Sequence, residues 1–334
     1  IRPVTASAIA HLICFSPYFG ENSTSLLTLT SSCPAQIPSL SPQIFVRRRG
    51  LSSQNAVLLI LAGSFAISIY FVLVAKILKK TPSIDSQFLF GASNFAAAIL
   101  LLPVWLSKLS SGDISLPVSN MFFYAILVHV ILKLVSSGLH FTALKRVDVA
   151  LVSSFSALSP ILAILAGVWL LQEIPTQWEI LGITIISVSI LVFFVGQFQR
   201  QSEFGFNRYV FFAFLSAFPP AFAIIYHKVA VVAADAINFS FVSTVAFGCA
   251  GVMVSRLIGT TKPVEQLKQA GMSLLFLGLT LAITNICFSV AMNYEKAANV
   301  SALNRISVLM QVLLGYFFFG QSHQVYRRAI AAVA

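Results

Sequence analysis

Charge is what this 334-residue chain has least of. Asp, Glu, Lys and Arg make up 9% of it, against 58% hydrophobic residues, and mean hydropathy is +0.90. A soluble domain carries roughly 25% charged residues, so a water-facing globule is excluded. Acid is the scarcer sign: ten Asp and Glu stand against 21 Lys and Arg, a formal net charge of +11. None of the ten (Glu21, Asp85, Asp113, Asp148, Glu173, Glu179, Glu203, Asp235, Glu265, Glu295) falls in the middle of an apolar run. That argues against a small multidrug exporter, which needs a buried carboxylate to bind cations and protons in turn. With no HExxH and no buried carboxylate pair, it also argues against an intramembrane enzyme. Cysteine is rare. Cys14, Cys33, Cys249 and Cys287 lack metal-ligand spacing, so no metal and no cofactor are expected, and the last two read as packing residues.

What is there is a series of long apolar runs. Helices read at about 55–78, 87–107, 121–145, 148–171, 177–198, 209–233, 238–258, 271–292 and 298–319, with a tenth starting at 325. Each approaches or exceeds the ~20 residues that cross a ~30 Å hydrocarbon core. The runs are continuous rather than alternating, which disfavours membrane strands. Short connections make neighbours antiparallel. The expected class is therefore all-α and polytopic. Basic residues stand mostly singly or in pairs between runs, as interface anchors and topology signals. Lipid and a small-molecule substrate are the expected partners, not nucleic acid, and the chain is expected as a monomer or homodimer.

Residues 1–54 do not belong to the membrane body. They hold ten Ser, four Thr and a single acid, and carry Arg47-Arg48-Arg49 near their end. This composition reads either as an organelle transit peptide or as a disordered tail, with the apolar patch Val4–Phe19 as a signal-type alternative. The membrane is accordingly that of an organelle (plastid, or Golgi and endoplasmic reticulum) or the plasma membrane. The first residue is Ile1 rather than Met, and further residues are expected before it.

One stretch occurs twice. Ala143–Glu173, ALKRVDVALVSSFSALSPILAILAGVWLLQE, returns 148 residues later as Ala291–Gln321, AMNYEKAANVSALNRISVLMQVLLGYFFFGQ. Without a gap, Ala150 falls on Ala298, Ser153 on Ser301, Leu165 on Leu313 and Gly167 on Gly315. A repeat of this length in an apolar chain points to the two halves of a transporter, here about 55–198 and 205–334. Five spans per half is an odd number, so the second half enters from the opposite side and the repeat is inverted. The offset puts the tenth helix near 325–346, so it is expected to be truncated at Ala334.

The repeated segment resembles the fourth span of EamA-type transporters in the drug/metabolite transporter superfamily. That pattern has an AL-x-x turn, a small-residue helix with Ser/Pro near its middle, and a Gly/Leu-rich end closing on Glu. Ser159-Pro160, Gly167 and Glu173 match it, as do Ala298, Ser301, Gly315 and Gly320. Val308 replaces the usual Pro and Gln321 the usual acid. The run VSALNRISVLMQVLLGYFFFG also resembles the ninth span of nucleotide-sugar and triose-phosphate solute carriers that place an Arg there. The resemblance implies a ten-helix (5+5) inverted-repeat bundle with a central cavity lined by helices 1, 3, 4, 6, 8 and 9. It also implies cytosolic termini, whereas twelve of the 18 basic residues outside Arg2, Lys133 and Arg305 fall on the opposite face, which favours the reverse orientation.

Two cations sit deep in apolar runs. Lys133 is 12 residues from each end of the third predicted helix, or ~18 Å, where a charge costs at least ~2.5–3.5 kcal/mol. His129, Lys133, Ser136, Ser137 and His140 share one helical face. Arg305 lies about two turns into the ninth helix, with Ser301, Asn304 and Gln311 nearby. The eighth adds Thr284 and Asn285, with Ser289 a turn further on. Tyr70 and Tyr226 are candidate pocket aromatics, and Ser153, Ser154, Ser156 and Ser159 form a small polar face. Pro219-Pro220 remove two amide donors from the sixth helix, a kink that is either a gate or static. Cations without acids suit an anionic substrate. The expected function is secondary transport of a phosphorylated sugar, nucleotide sugar or organic acid by alternating access. Export of amino acids or other neutral metabolites is the alternative.

Overall fold

The computed structural model describes residues 53–114, 119–147, 152, 155, 158–171, 175–185, 188, 208–257 and 263–319, and among them there is helix and no strand. In chain order the helices are α1 (Ser53–Lys80), α2 (Ser86–Ser110), α3 (Asn120–Leu144), α4 (Ser159–Leu171), α5 (Arg208–Leu215), α6 (Phe218–Ala234), α7 (Ala236–Leu257), α8 (Pro263–Ala270), α9 (Ser273–Met292), α10 (Ala297–Leu303) and α11 (Ile306–Phe319). A further helical stretch covers 177–185. Seven spans among the described residues are long and apolar enough to cross a membrane: α1, α2, α3, α5 with α6, α7, α9, and α10 with α11. The leader, the expected tenth helix, and Ser153, Ser154 and Ser156 lie outside the described residues.

Local chemistry explains several helix ends. The Asp85 carboxylate accepts from the amides of Gln87 and Phe88, both at 2.8 Å, the usual work of an N-cap. After Ser110 the chain turns out through Gly112 at φ +75°, a conformation that suits glycine.

Two expected helices are interrupted. The sixth breaks at Ser216–Ala217, immediately before Pro219 and Pro220. The ninth breaks at Asn304–Arg305, which the sequence reading took as one continuous helix. There the Arg305 amide bonds Ala302 O rather than Ser301 O, and Ser307 N bonds Asn304 O, so a tight 3₁₀-like turn joins α10 to α11. The run expected to start at 271 is preceded by a separate short helix, α8.

Burial is arranged for a hydrocarbon solvent. Ile99, Leu127, Val135, Leu165 and Phe276 are exposed, while Ser64, Ser68, Asn94, Ser240, Thr244 and Ser289 are buried. α2 packs on α7 and α9, α1 on α9 and α11, and α3 and α4 on α6. Exchanging each first-half span for its counterpart in the second half maps the α1–α9 contact onto the α6–α3 contact. It likewise maps α1–α11 onto α6–α4, and α2–α7 onto itself. The packing therefore respects the duplication seen in the sequence.

Glycines make the α2–α7–α9 seam possible. A Cβ on Gly251 would meet Gly91 Cα at 2.7 Å, and one on Gly278 would meet Ala96 Cβ at 2.6 Å. Such small residues let helix backbones approach in a membrane. Because the obstructing atoms at Gly251 are backbone, Gly251→Val is expected to destabilise the protein by about 1–3 kcal/mol. A lowered unfolding midpoint in detergent micelles checks this.

Candidate functional site

α3 carries its polar residues inward and its apolar residues outward. His129, Ser136, Ser137 and His140 are buried and Lys133 is half-buried, whereas Leu127, Ile131 and Val135 are exposed. Two of the polar residues fasten α3 to the interrupted sixth span. Ser136 Oγ donates to Ser216 O at 3.0 Å. In an unbroken helix that carbonyl would accept from residue 220, but Pro220 has no N–H. His129 Nδ1 meets Ala223 O at 2.7 Å on the other side of the break.

Lys133 is different. Among the described residues its ammonium has no hydrogen bond and no ion pair, and its nearest charged influence is Arg305. The two cations, from opposite repeats, thus lie within electrostatic reach of each other. His129 and His140 also lie within electrostatic reach of Lys133. His140 packs its ring against Phe71 at 4.9 Å, and its Nε2 is buried without a hydrogen-bond partner among the described residues.

Arg305 sits in the break between α10 and α11. Its Nε donates to Ser301 O at 3.2 Å, the carbonyl that the tight turn leaves free, and its Nη2 donates to Ser159 Oγ at 2.7 Å. Ser159 starts α4, so the guanidinium joins equivalent spans of the two repeats. Around the same break Asn304 Oδ1 accepts from Ser64 Oγ at 3.3 Å, and Ser68 Oγ donates to Ser307 O at 3.0 Å. Ser301 and Gln311 are buried beside these groups.

The other expected candidates make contacts elsewhere in the bundle. Tyr70 is 2% exposed in the core, with its hydroxyl 3.1 Å from Ser93 Oγ. Tyr226 stands edge-on to Tyr124, which is exposed. Thr284 Oγ1 bonds Thr280 O within its own helix at 2.7 Å, and the backbone oxygen of Asn285 accepts from Ser240 Oγ at 3.2 Å. Lys228, a lone cation in the sixth span, is buried and donates to Glu295 O at 3.0 Å. No group of His, Cys, Asp and Glu among the described residues has metal-binding geometry.

The family model for EamA-like transporters matches residues 54–195 and again 207–334. The chain belongs to the EamA-like transporter family. It is a multi-pass integral membrane protein of a family that moves small solutes. A solved structure described as "Crystal structure of protein" superposes with a TM-score of 0.61 at 16% identity, covering 84% of this chain and 95% of that one; the likeness is one of fold. No curated protein matches the chain.

Within this EamA-like bundle the sequence reading missed His227. Its Nε2 is 3.0 Å from Ser289 Oγ, its ring stacks on Phe239 at 4.1 Å, and it lies 5.4 Å from the ring of His129. A polar ring in an apolar run beside Tyr226 was the available signal. Ser64 and Ser68 were missed because α1 reads as uniformly apolar.

Arg305 and Ser159 form a coupled pair across the repeats. A double-mutant cycle of Arg305→Lys and Ser159→Ala is expected to give a coupling energy of about 1–2 kcal/mol in thermal unfolding. Lysine keeps the charge but cannot reproduce the fork that serves Ser301 O and Ser159 Oγ together.

Proposed function

We propose that the protein is a secondary carrier for a small anionic metabolite, a phosphorylated sugar, nucleotide sugar or organic acid. It works by alternating access between two inverted halves of five spans each. The observation that carries this reading is Lys133: a half-buried lysine within a span, within electrostatic reach of Arg305, with no ion pair among the described residues. Lys133 is 13 residues from the start of α3, ~20 Å along its axis. A lone cation at such depth is expensive, and a second cation beside it adds repulsion. A bound phosphate or carboxylate offsets both costs. Arg305 presents a planar guanidinium of the kind suited to bidentate contact, and Lys133 supplies a movable point charge.

Other expected residues fit around that pair. Ser301, Asn304 and Gln311 flank Arg305, and Ser136, Ser137, His129 and His140 flank Lys133. The interruptions at Ser216–Ala217 and Asn304–Arg305 resemble the discontinuous helices that form carrier sites. Pro219 and Pro220 are the hinge of the first, since the sixth span has no continuous hydrogen-bond ladder to stiffen it there.

The test is uptake into proteoliposomes, with thermal shift as a binding screen. Phosphorylated or carboxylated metabolites should raise the unfolding midpoint by mass action. Lys133→Ala should raise KM for the responsive anion roughly 10- to 100-fold, the loss of one charge-assisted contact, while the protein remains folded. Shifts with amino acids or neutral solutes alone, or an unchanged KM in Lys133→Ala, overturn the anion assignment.

A further inference from the structure

A second polar assembly lies at one end of the bundle, at the face from which α1 sets out. Thr176 precedes the helical stretch 177–185, and Glu179 is three residues on. The Thr176 amide donates to Glu179 Oε2 at 2.6 Å, and the Glu179 amide donates to Thr176 Oγ1 at 3.3 Å. That reciprocal pair is a capping box. The carboxylate then reaches out of its own repeat. Lys296 Nζ donates to Glu179 Oε2 at 2.9 Å, and Asn299 Nδ2 donates to Glu179 Oε1 at 2.9 Å. Asn299 also approaches Glu295 Oε2 at 3.4 Å. Both oxygens of one first-half carboxylate are therefore engaged by residues 117 and 120 positions later.

The placement matters because of what lies below. Lys296 is the N-cap of α10, and Arg305 follows the end of that same half-helix. The assembly thus grips the outer end of the short lever whose inner end carries Arg305. A capping box alone needs nothing from the second repeat, and the ion pair with Lys296 adds nothing to the cap. The pair is also graded for breaking: the side chains of Lys296 and Glu179 are 33% and 20% exposed. Water is close enough to rehydrate both charges when they part, whereas a fully buried pair would be left stranded. The sequence adds an independent sign. The 148-residue offset carries Lys296 onto Asp148 and Glu179 onto Arg327, so the same two positions recur with their charges exchanged. Those positions lie outside the described residues.

We propose that Glu179, Lys296 and Asn299 form a gate that closes this face of the transport pathway and opens once in each cycle. The proposal rests on the transport reading but not on the charge of the cargo.

The test needs no substrate. The full chain, with its four cysteines replaced and Ser301→Cys added as reporter, is reconstituted in liposomes. The reporter is buried, 2% exposed, five residues past Lys296. Its reaction with a membrane-impermeant methanethiosulfonate is timed. Glu179→Gln keeps the capping box, which accepts Gln, and removes only the charge. Glu179→Gln and Lys296→Gln should each speed labelling roughly three- to tenfold, the effect of one partly exposed ion pair and its neighbours. Lys296→Arg, which keeps the charge and leaves the Glu179 capping box intact, should label at a rate near that of the parent. An unchanged rate in both Gln variants, or a Lys296→Arg variant as fast as they are, overturns the gate. Uptake of anions is not read, so the gate and the cargo assignment fail separately.

Discussion

Carbonyl oxygens govern this structure more than any other group. In hydrocarbon a backbone oxygen without a donor costs several kcal/mol, so a spanning helix is ordinarily unbroken. This chain breaks two of its spans and supplies a side-chain donor at each break. Ser136 reaches Ser216 O, Arg305 reaches Ser301 O, and Ser68 reaches Ser307 O. Each donor is held in place by packing, and two of the three come from the opposite repeat. Interrupted helices and inter-repeat contacts are therefore one feature: the breaks are tolerable because the halves are assembled.

The glycine seam makes that assembly close. Gly91 and Gly251 bring α2 and α7 to backbone contact, and Gly278 seats α9 on Ala96 and Ala97. Around this seam α3 packs on α6, and α1 packs on α9 and α11. The duplication is visible in that arrangement as well as in the letters. A family defined by the same repeat matches both halves, and the contacts obey the corresponding exchange.

Arg305 and the Glu179–Lys296 pair sit at two ends of one element. α10 starts at Lys296, pinned to Glu179, and ends at the turn that holds Arg305. Movement of this half-helix would alter both. Lys133 stands on α3, which contacts the broken sixth span, so the other cation is likewise mounted beside an interruption. Both deep cations in this protein therefore stand on elements that meet an interruption of the backbone.

The sequence by itself determined the solvent, the helical class and the duplication. Hydropathy leaves no soluble alternative, continuous apolar runs disfavour strands, and a gapless 148-residue offset survives because both halves must pack alike. It also singled out Lys133 and Arg305, since an isolated charge in an apolar run is conspicuous. The interruption at Asn304–Arg305 was not legible, because no proline marks it; a 3₁₀ turn there depends on Ser159 and Ser64 arriving from distant helices to meet Arg305 and Asn304. Tyr70 and His129 look alike in one dimension, each a polar ring in an apolar span, yet one hydroxyl is spent on Ser93 and the other ring bridges to Ala223 O beside a lysine. Lys228 and Lys296 are each a lone cation in the sequence, and only assembly sends one to a backbone oxygen and the other to a carboxylate. Periodicity reports which face of a helix is polar. Which partner that face meets depends on helices more than a hundred residues away, and the tertiary structure alone brings them together.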